Sequence, residues 1–355
     1  MTVFINGRFL SQPESGVQRY AEQVVRGLDR IAAQSGAAFE LLCPPESRSI
    51  NAPHISQRIV GRGGGHRWEQ WDFARAAWRG VALSLAMSGP LFHPRQLVVI
   101  HDAAVHRHPR HFSRVYGMAH RLLDRGLARR AMLATVSDFS RAELADVLGV
   151  RAESILLAPN GCDHVSAAEP TDILDRLGAG ARPYFLTLGN LTPNKNLAVV
   201  GRALRRIDRP DVRVVAVGMT NGRVFGDMGL PDDPRLLFAG RLDDSDVRTL
   251  MAGARALLFP SRYEGFGLPP LEAMTSDCPV IASDIGAVRE VCGDAAALFD
   301  CDDDRALASL MTAALSDTGR WRAERIAAGR GRASRYRWEQ PVRVIADACR
   351  QLERS

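Results

Sequence analysis

The chain has 355 residues, of which 46% are hydrophobic and 24% charged, with a formal net charge of +6, an ordinary composition for a soluble protein long enough to form two domains. No stretch approaches the roughly 18 apolar residues of a membrane span; the nearest, Val81 to Phe92, is too short and contains Ser84, Ser88, Gly89 and Pro90. Six scattered cysteines without a C-x-x-C pair argue against a zinc site or a disulfide framework and for a reducing compartment.

The chain opens on a strand-like segment, Thr2–Asn6, rather than on a charged-then-apolar leader. An amphipathic helix is expected over Val17–Ile31 and further strands at 39–43, 97–100, 132–136 and 154–157, with helices over Phe112–Leu127 and Phe139–Leu148. The helix near 110–130 spaces Phe112, Val115, Tyr116, Ala119, Leu122, Leu123 and Leu127 along one stripe, which is expected to face a sheet. The stretch Arg58–Arg130 is strongly basic: 13 arginines stand against Glu69, Asp72, Asp102 and Asp124, a local excess of +9, and seven of the nine histidines lie there too. A one-sided basic field attracts an anionic partner. Few aromatics and no recognition helix make nucleic acid the weaker candidate, so none is expected.

A composition shift over 166–180, rich in Ala, Gly, Pro, Thr and Asp, reads as a linker. Strand-like runs resume at 184–188, 212–217, 235–238, 255–259, 279–282 and 296–299, and a last helix is expected over Trp338–Leu352. Short apolar strands alternating with helices give parallel sheets built from βαβ units. The expected architecture is α/β: a Rossmann-like domain over 1–165, a linker over 166–180, a second Rossmann-like domain over 181–335, and a C-terminal helical segment, 336–355, returning to the first domain. Ligands of such sheets bind at the C-terminal strand ends, so a cleft between two facing domains is the expected site.

Two segments carry chemistry. The chain has 45 arginines and one lysine, Lys195, in Thr187-Leu-Gly-Asn-Leu-Thr-Pro-Asn-Lys-Asn196. This is a strand end, a polar turn and a helix start, where a compact cation suits phosphate oxygens; the bland alternative is a compositional accident. The second segment runs from Ala256 to Met274. It reads as a buried strand, a loop with Gly265 and Gly267 that lets backbone approach a ligand, then a helix with Pro270 in its first turn. Glu264 and Glu272 bracket that loop as acceptors for paired sugar hydroxyls. Alone, Glu272 is equally a partner for the helix dipole, and Glu264 a surface charge. Asp302-Asp-Asp304 reads as a helix start, so no metal site is assigned.

Glu264 and Glu272, eight apart around Gly-Phe-Gly-Leu-Pro, resemble the E-x7-E motif of the retaining glycosyltransferases of family 4, which have the GT-B fold. Gly16-Val-Gln-Arg-Tyr20, Trp68-Glu-Gln70, Ile100-His-Asp102, Thr135-Val-Ser-Asp-Phe-Ser140 and Pro159-Asn-Gly161 follow in the family's order. Within the family the likeness is to bacterial exopolysaccharide and O-antigen mannosyltransferases, on Trp68-Glu-Gln70, Ser88-Gly-Pro90, His101-Asp102 and Gly161–His164. The resemblance implies a metal-independent transfer of a hexose, mannose from GDP-mannose being favoured, to a lipid-linked saccharide, at the cytoplasmic face of an anionic membrane, with no cofactor beyond the donor itself.

The resemblance also implies roles. Lys195 would bind the donor diphosphate, Glu264 the transferred sugar and Glu272 the ribose. The backbone of Gly265, Phe266, Gly267 and Leu268 would line sugar and phosphates. Gly16 would lie against the diphosphate, and His101 would face the reacting centre from the acceptor side, although a strand-end histidine is often only a local hydrogen-bond partner. The family's second diphosphate cation is replaced here by Asn190; Arg241, after Gly240 at the next strand end, is the candidate to supply that charge. Two other classes remain: a sugar-nucleotide epimerase, and a non-catalytic nucleotide-sugar-binding module.

Overall fold

The computed structural model describes residues 1–165, 169–180, 182–189, 192–218 and 233–354. The chain divides into two compact units, Met1–Gly161 with Arg337–Ser355, and Cys162–Tyr336. Each is built on one parallel sheet.

The sheet of the first unit contains β1 (Val3–Asn6), β2 (Phe39–Cys43), β3 (Ser56–Ile59), β4 (Val81–Ser84), β5 (Gln96–Val99), β6 (Met132–Thr135) and β7 (Ile155–Leu157). Their order is β3-β2-β1-β4-β5-β6-β7, every pair parallel. Two of these strands have no readable signal. β4 lies within the longer apolar stretch Val81–Phe92, so its bounds do not stand out. β3 is a polar edge, Ser-Gln-Arg-Ile, which pairs with β2 and carries an Arg58–Glu40 ion pair. Helix Gly16–Ser35 starts at the cap Ser15 and stops at Gly36, whose φ of 68° an L side chain resists. Its buried face includes Tyr20, Val24, Val25 and Leu28. The C-terminal helix, Glu339–Arg354, packs on it: a Cβ at Gly27 would lie 2.3 Å from Val342. Trp338 and Tyr20 meet at 5.8 Å between rings, and Tyr20 donates to the Ala158 carbonyl at 3.1 Å.

The helix expected over 112–127 forms over Arg114–Ala128, but its apolar stripe does not face the sheet as a whole. Leu127 is buried, along with Gly117, His120 and Asp124. Val115, Tyr116 and Leu122 are exposed, with Met118 beside them. The reason is a buried polar pair, Asp124 with His106 at 3.0 Å, which turns a charged position inward. Helical periodicity defines a stripe but not the element that will cover it.

The sheet of the second unit contains β8 (Tyr184–Leu188), β9 (Arg213–Val217), β10 (Leu236–Gly240), β11 (Leu257–Phe259), β12 (Val280–Ser283) and β13 (Ala296–Phe299), in the order β10-β9-β8-β11-β12-β13, again all parallel. One face buries Val200, Leu204, Val214, Leu258, Ile281 and Met311. Of the segment read as a linker, 166–168 lie outside the described residues. From Thr171 onward it docks on helix Asp244–Gly253: the Thr171 hydroxyl donates to Asp246 at 2.6 Å and Ile173 is buried. Asp303 caps helix Asp304–Ser316 by accepting from Arg305 and Ala306. Among the described residues no helix is long and apolar enough to cross a membrane.

Candidate active site

In the second sheet the strand order reverses between β8 and β11, and ligands of open α/β sheets bind beyond the C-terminal ends at such a point. Lys195 lies in the turn after β8 and Glu264 in the loop after β11, and the structure brings them together: Lys195 Nζ and Glu264 Oε1 are 2.5 Å apart. Both are half-buried. Gly189, at φ 129°, makes room for the lysine stem, since a Cβ there would lie 3.1 Å from Lys195 Cε. The ammonium also lies 5.4 Å from the Phe259 ring centroid, a cation–π distance.

Both loops are stapled in place. Arg262 N–H donates to the Asn194 carbonyl and Asn194 Nδ2 to the Tyr263 carbonyl, each at 2.9 Å. Asn196, left-handed at φ 50°, donates to the Cys301 carbonyl at 2.6 Å and accepts from Arg262 at 3.1 Å. Arg262 in turn grips Asp302 with two hydrogen bonds of 2.9 and 2.6 Å. That pairing uses the Asp302 carboxylate, the nearest approach to a metal cluster among the described residues. Asn194 Oδ1 and Ser261 Oγ are buried without a hydrogen-bond partner, polar atoms of the kind a bound ligand satisfies.

Gly265 to Leu268 form a buried approach to helix Leu268–Thr275, which starts at Gly267 with φ 104°. Pro269 and Pro270 have no N–H, so the first turn offers Leu268 N–H alone and the loop must supply any further anion donors. The Phe266 ring packs edge-on against Tyr336 at 5.6 Å. Glu272 is held by His164, with Nε2 to Oε1 at 3.1 Å and both side chains nearly buried. His164 escaped the sequence reading as a site residue, although its segment carried part of the resemblance. Asn190 lies outside the described residues. Arg241 is exposed directly after edge strand β10, two strands from β8, or about 10 Å along the same sheet edge.

In the first unit, Gly16 is the first residue of its helix and is exposed. A Cβ there would meet nothing within 4 Å, so no internal contact requires glycine. His101 follows β5 and is 6% exposed. Its Nε2 lies 2.9 Å from the Leu85 carbonyl and its ring stands edge-on to Tyr20 at 4.8 Å. Burial pushes its pKa down to about 4, so the ring is neutral near pH 7. With Nε2–H donating to Leu85, Nδ1 is left as an acceptor.

A second polar cluster marks the β1/β4 reversal of this sheet. Glu69, fully buried, accepts from Asn6 at 2.7 Å and Ser88 at 3.0 Å, faces Arg8 Nε at 3.2 Å, and pairs with His66 Nδ1 at 3.2 Å. Burial opposes its charge, yet the His66 hydrogen bond, the Arg8 charge and Ser88 hold the carboxyl below its usual range. Asn6 and Arg8 were missed. Their only signal was their place at the end of the first strand.

Two parallel Rossmann-like sheets of this kind are the GT-B architecture. Residues 175–332 match the family glycosyl transferases group 1, and the second unit is a domain of that family. The chain is 29% identical over 282 residues to O-antigen chain mannosyltransferase B of Escherichia coli, covering 74% of each. It is 27% identical over 216 residues to O-antigen chain mannosyltransferase RfbU of Salmonella typhimurium, covering 59% of this chain and 58% of that one. Among solved structures, Anabaena HepE in complex with UDP-glucose superposes with a TM-score of 0.76 at 18% identity, covering 99% of this chain and 100% of that one.

Proposed function

We propose that this glycosyltransferase is a retaining, metal-independent enzyme of family 4 that moves mannose from GDP-mannose to a saccharide carried on a membrane lipid. The observation that carries the reading is the Lys195–Glu264 pair at the sheet reversal. Breaking a sugar–phosphate bond builds positive charge on the sugar and negative charge on the diphosphate, and fixed groups aimed at both lower the barrier. Lys195 has three N–H donors. Glu264 takes one, leaving two for phosphate oxygens. The ammonium also separates the Glu264 carboxylate from the like-charged diphosphate. Glu264 is then placed to accept from hydroxyls of the transferred sugar, and Glu272, steadied by His164, to accept from the ribose.

The backbone of Gly265, Phe266, Gly267 and Leu268 lines the sugar and phosphates. Arg241 supplies the second cation where Asn190 cannot. His101 presents a neutral acceptor, which suits a sugar hydroxyl, and Gly16 lets a ligand approach its helix closely. A sugar nucleotide as donor is supported by the UDP-glucose complex of HepE, mannose by the two mannosyltransferase relatives, and guanosine by the family resemblance. The basic stretch of the first unit supports peripheral, salt-sensitive attachment to an anionic membrane at its cytoplasmic face.

Purified protein incubated with GDP-mannose and a lipid-linked acceptor is expected to yield an α-mannosyl product, read by the anomeric NMR signal, and to hydrolyse the donor slowly without acceptor. A β-linked product sinks the retaining assignment. Recovery of an epimerised donor makes the protein an epimerase, and donor binding without any turnover makes it a binding module.

A further inference from the structure

The outward stripe of helix Arg114–Ala128 borders a groove in the first unit. The opposite wall is the helical segment 65–77, where Trp68 and Phe73 enter the core while Trp71 is 74% exposed and Trp78, just past it, 55% exposed. Between them lies a cavity of about 1070 Å³ lined by Phe4, Trp71, Trp78, Leu91, Phe92 and Leu122, among others. Phe92 and Leu122 are 67% and 62% exposed. Soluble surfaces rarely leave this much contiguous apolar area uncovered. His66 and His120 also line the groove, their rings 4.8 Å apart, and His120 Nε2 is buried without a partner. His66 links the groove to the Glu69–Arg8–Ser88 cluster at the end of β1 and β4.

The charges around it have one sign. Arg75 and Arg79 line the groove, and Arg130 lies over the Phe92 ring at 5.1 Å in the adjoining hollow. Of the four acids in this stretch, Glu69 is buried against Arg8, Asp124 is buried in a hydrogen bond with His106, Asp72 packs under Gly61, and Asp102 accepts from the Ala104 N–H. A second copy of the same face would bring arginines against arginines, which disfavours self-association. Charge alone would account for arginines but not for two exposed tryptophans, a phenylalanine and a leucine around a cavity. Tryptophan favours the membrane–water interface, and arginine favours phosphate.

We propose that this groove binds the hydrocarbon chain of an anionic membrane lipid, the isoprenoid or acyl tail of the amphiphile that carries the acceptor saccharide, with its phosphate at the arginine rim. The proposal rests on the reading of the acceptor as lipid-linked. It places the tail against Trp71, Trp78, Phe92 and Leu122, and leaves the head beside the polar cluster at the sheet edge.

The test uses the full chain with phosphatidylcholine–phosphatidylglycerol vesicles whose acyl chains are brominated, which quench only tryptophans that reach the hydrocarbon. Wild type is expected to be quenched, and W71F/W78F to lose most of that quenching, because Trp68 and Trp338 are buried in the core and Trp321, half-buried, packs on the core of the second unit. F92D/L122D, altered at exposed positions and checked for an unchanged unfolding midpoint, is expected to lose the fraction of vesicle binding that survives high salt by at least tenfold. Strong vesicle binding without quenching, or salt-resistant binding unchanged in F92D/L122D, overturns the groove and leaves charge alone. A lipid-free dimer that F92D/L122D dissolves overturns it in favour of a second copy. Quenching together with transfer only to water-soluble acceptors sinks the lipid-linked acceptor and, with it, the acceptor's tail as occupant, leaving the groove a contact with bulk membrane lipid. Loss of quenching with transfer to a lipid-linked acceptor intact sinks the groove alone.

Discussion

Lys195 and Glu264 are 69 residues apart in sequence and 2.5 Å apart in space, and each explains the other's residue type. In a protein that otherwise uses arginine for every cation, an ammonium stem threads past Gly189 where a guanidinium fork would not. Lys195→Ala is expected to lower kcat and kcat/KM together by roughly 100- to 1000-fold, the range for removing one fixed group that stabilises transition-state charge. Lys195→Arg is expected not to restore the rate. Steady-state kinetics on folded variants read both, and wild-type turnover in Lys195→Ala returns the lysine to compositional accident. The proposed reading gives the two acidic residues different roles. Glu264→Ala is expected to slow sugar transfer while sparing nucleoside-diphosphate affinity, and Glu272→Ala to weaken that affinity by about 1.5–3 kcal/mol, the range for a hydrogen bond to a charged group. Calorimetric titration with the bare diphosphate separates them; a larger loss in Glu264→Ala reverses the roles. Both glutamates, the lysine and the glycines stood out in the sequence because their types and spacing form one short local pattern around a strand end and a helix start. His164, Arg262 and the Asn6–Arg8–Glu69 cluster were not, since each acquires its meaning only from a partner far away in the chain.

At the scale of elements, the strands were the most legible feature, because buried parallel strands read as short apolar runs. The two that escaped were polar edge strand β3 and β4, which is buried inside a longer apolar run. Helix Arg114–Ala128 was foreseen in extent but not in orientation, and its exposed stripe forms part of the groove. Close chain crossings are another feature beyond local reading. Gly161 sits where the chain passes the start of the C-terminal segment: a Cβ there would lie 2.3 Å from Trp338 N and 2.7 Å from Arg337 C. Both neighbours are backbone, so no rotamer change relieves the clash. Gly161→Ala is expected to destabilise the first unit by about 1–3 kcal/mol, the cost of overpacking a close-packed site. A urea midpoint equal to wild type would show that the backbone yields there.

At the scale of the whole molecule, buried histidines couple stability to acid. His101 takes a proton near pH 6.5 in the unfolded chain but only at about pH 4 when buried, and burial lowers His93 and His120 as well. Over that window the unfolded state binds more protons, so the stabilisation is complete above pH 6.5 and is lost as pH falls toward 4. For His101 this amounts to on the order of 3 kcal/mol. Denaturant unfolding at pH 7 and pH 4.5 is expected to show a smaller loss for His101→Phe than for wild type; equal losses would assign the acid sensitivity to other groups. The α/β class, most strands, the C-terminal helix and the glycine-bearing loop before helix Leu268–Thr275 were determined by the sequence itself, because periodicity, glycine placement and residue chemistry act over a few neighbouring positions. Which strands lie side by side, the Lys195–Glu264 ion pair, the His164–Glu272 pair, the buried Glu69 network and the basic-rimmed apolar groove were decided only by tertiary structure. All of these depend on contacts between segments distant in the chain, and sheet topology, not local pattern, decides which segments meet.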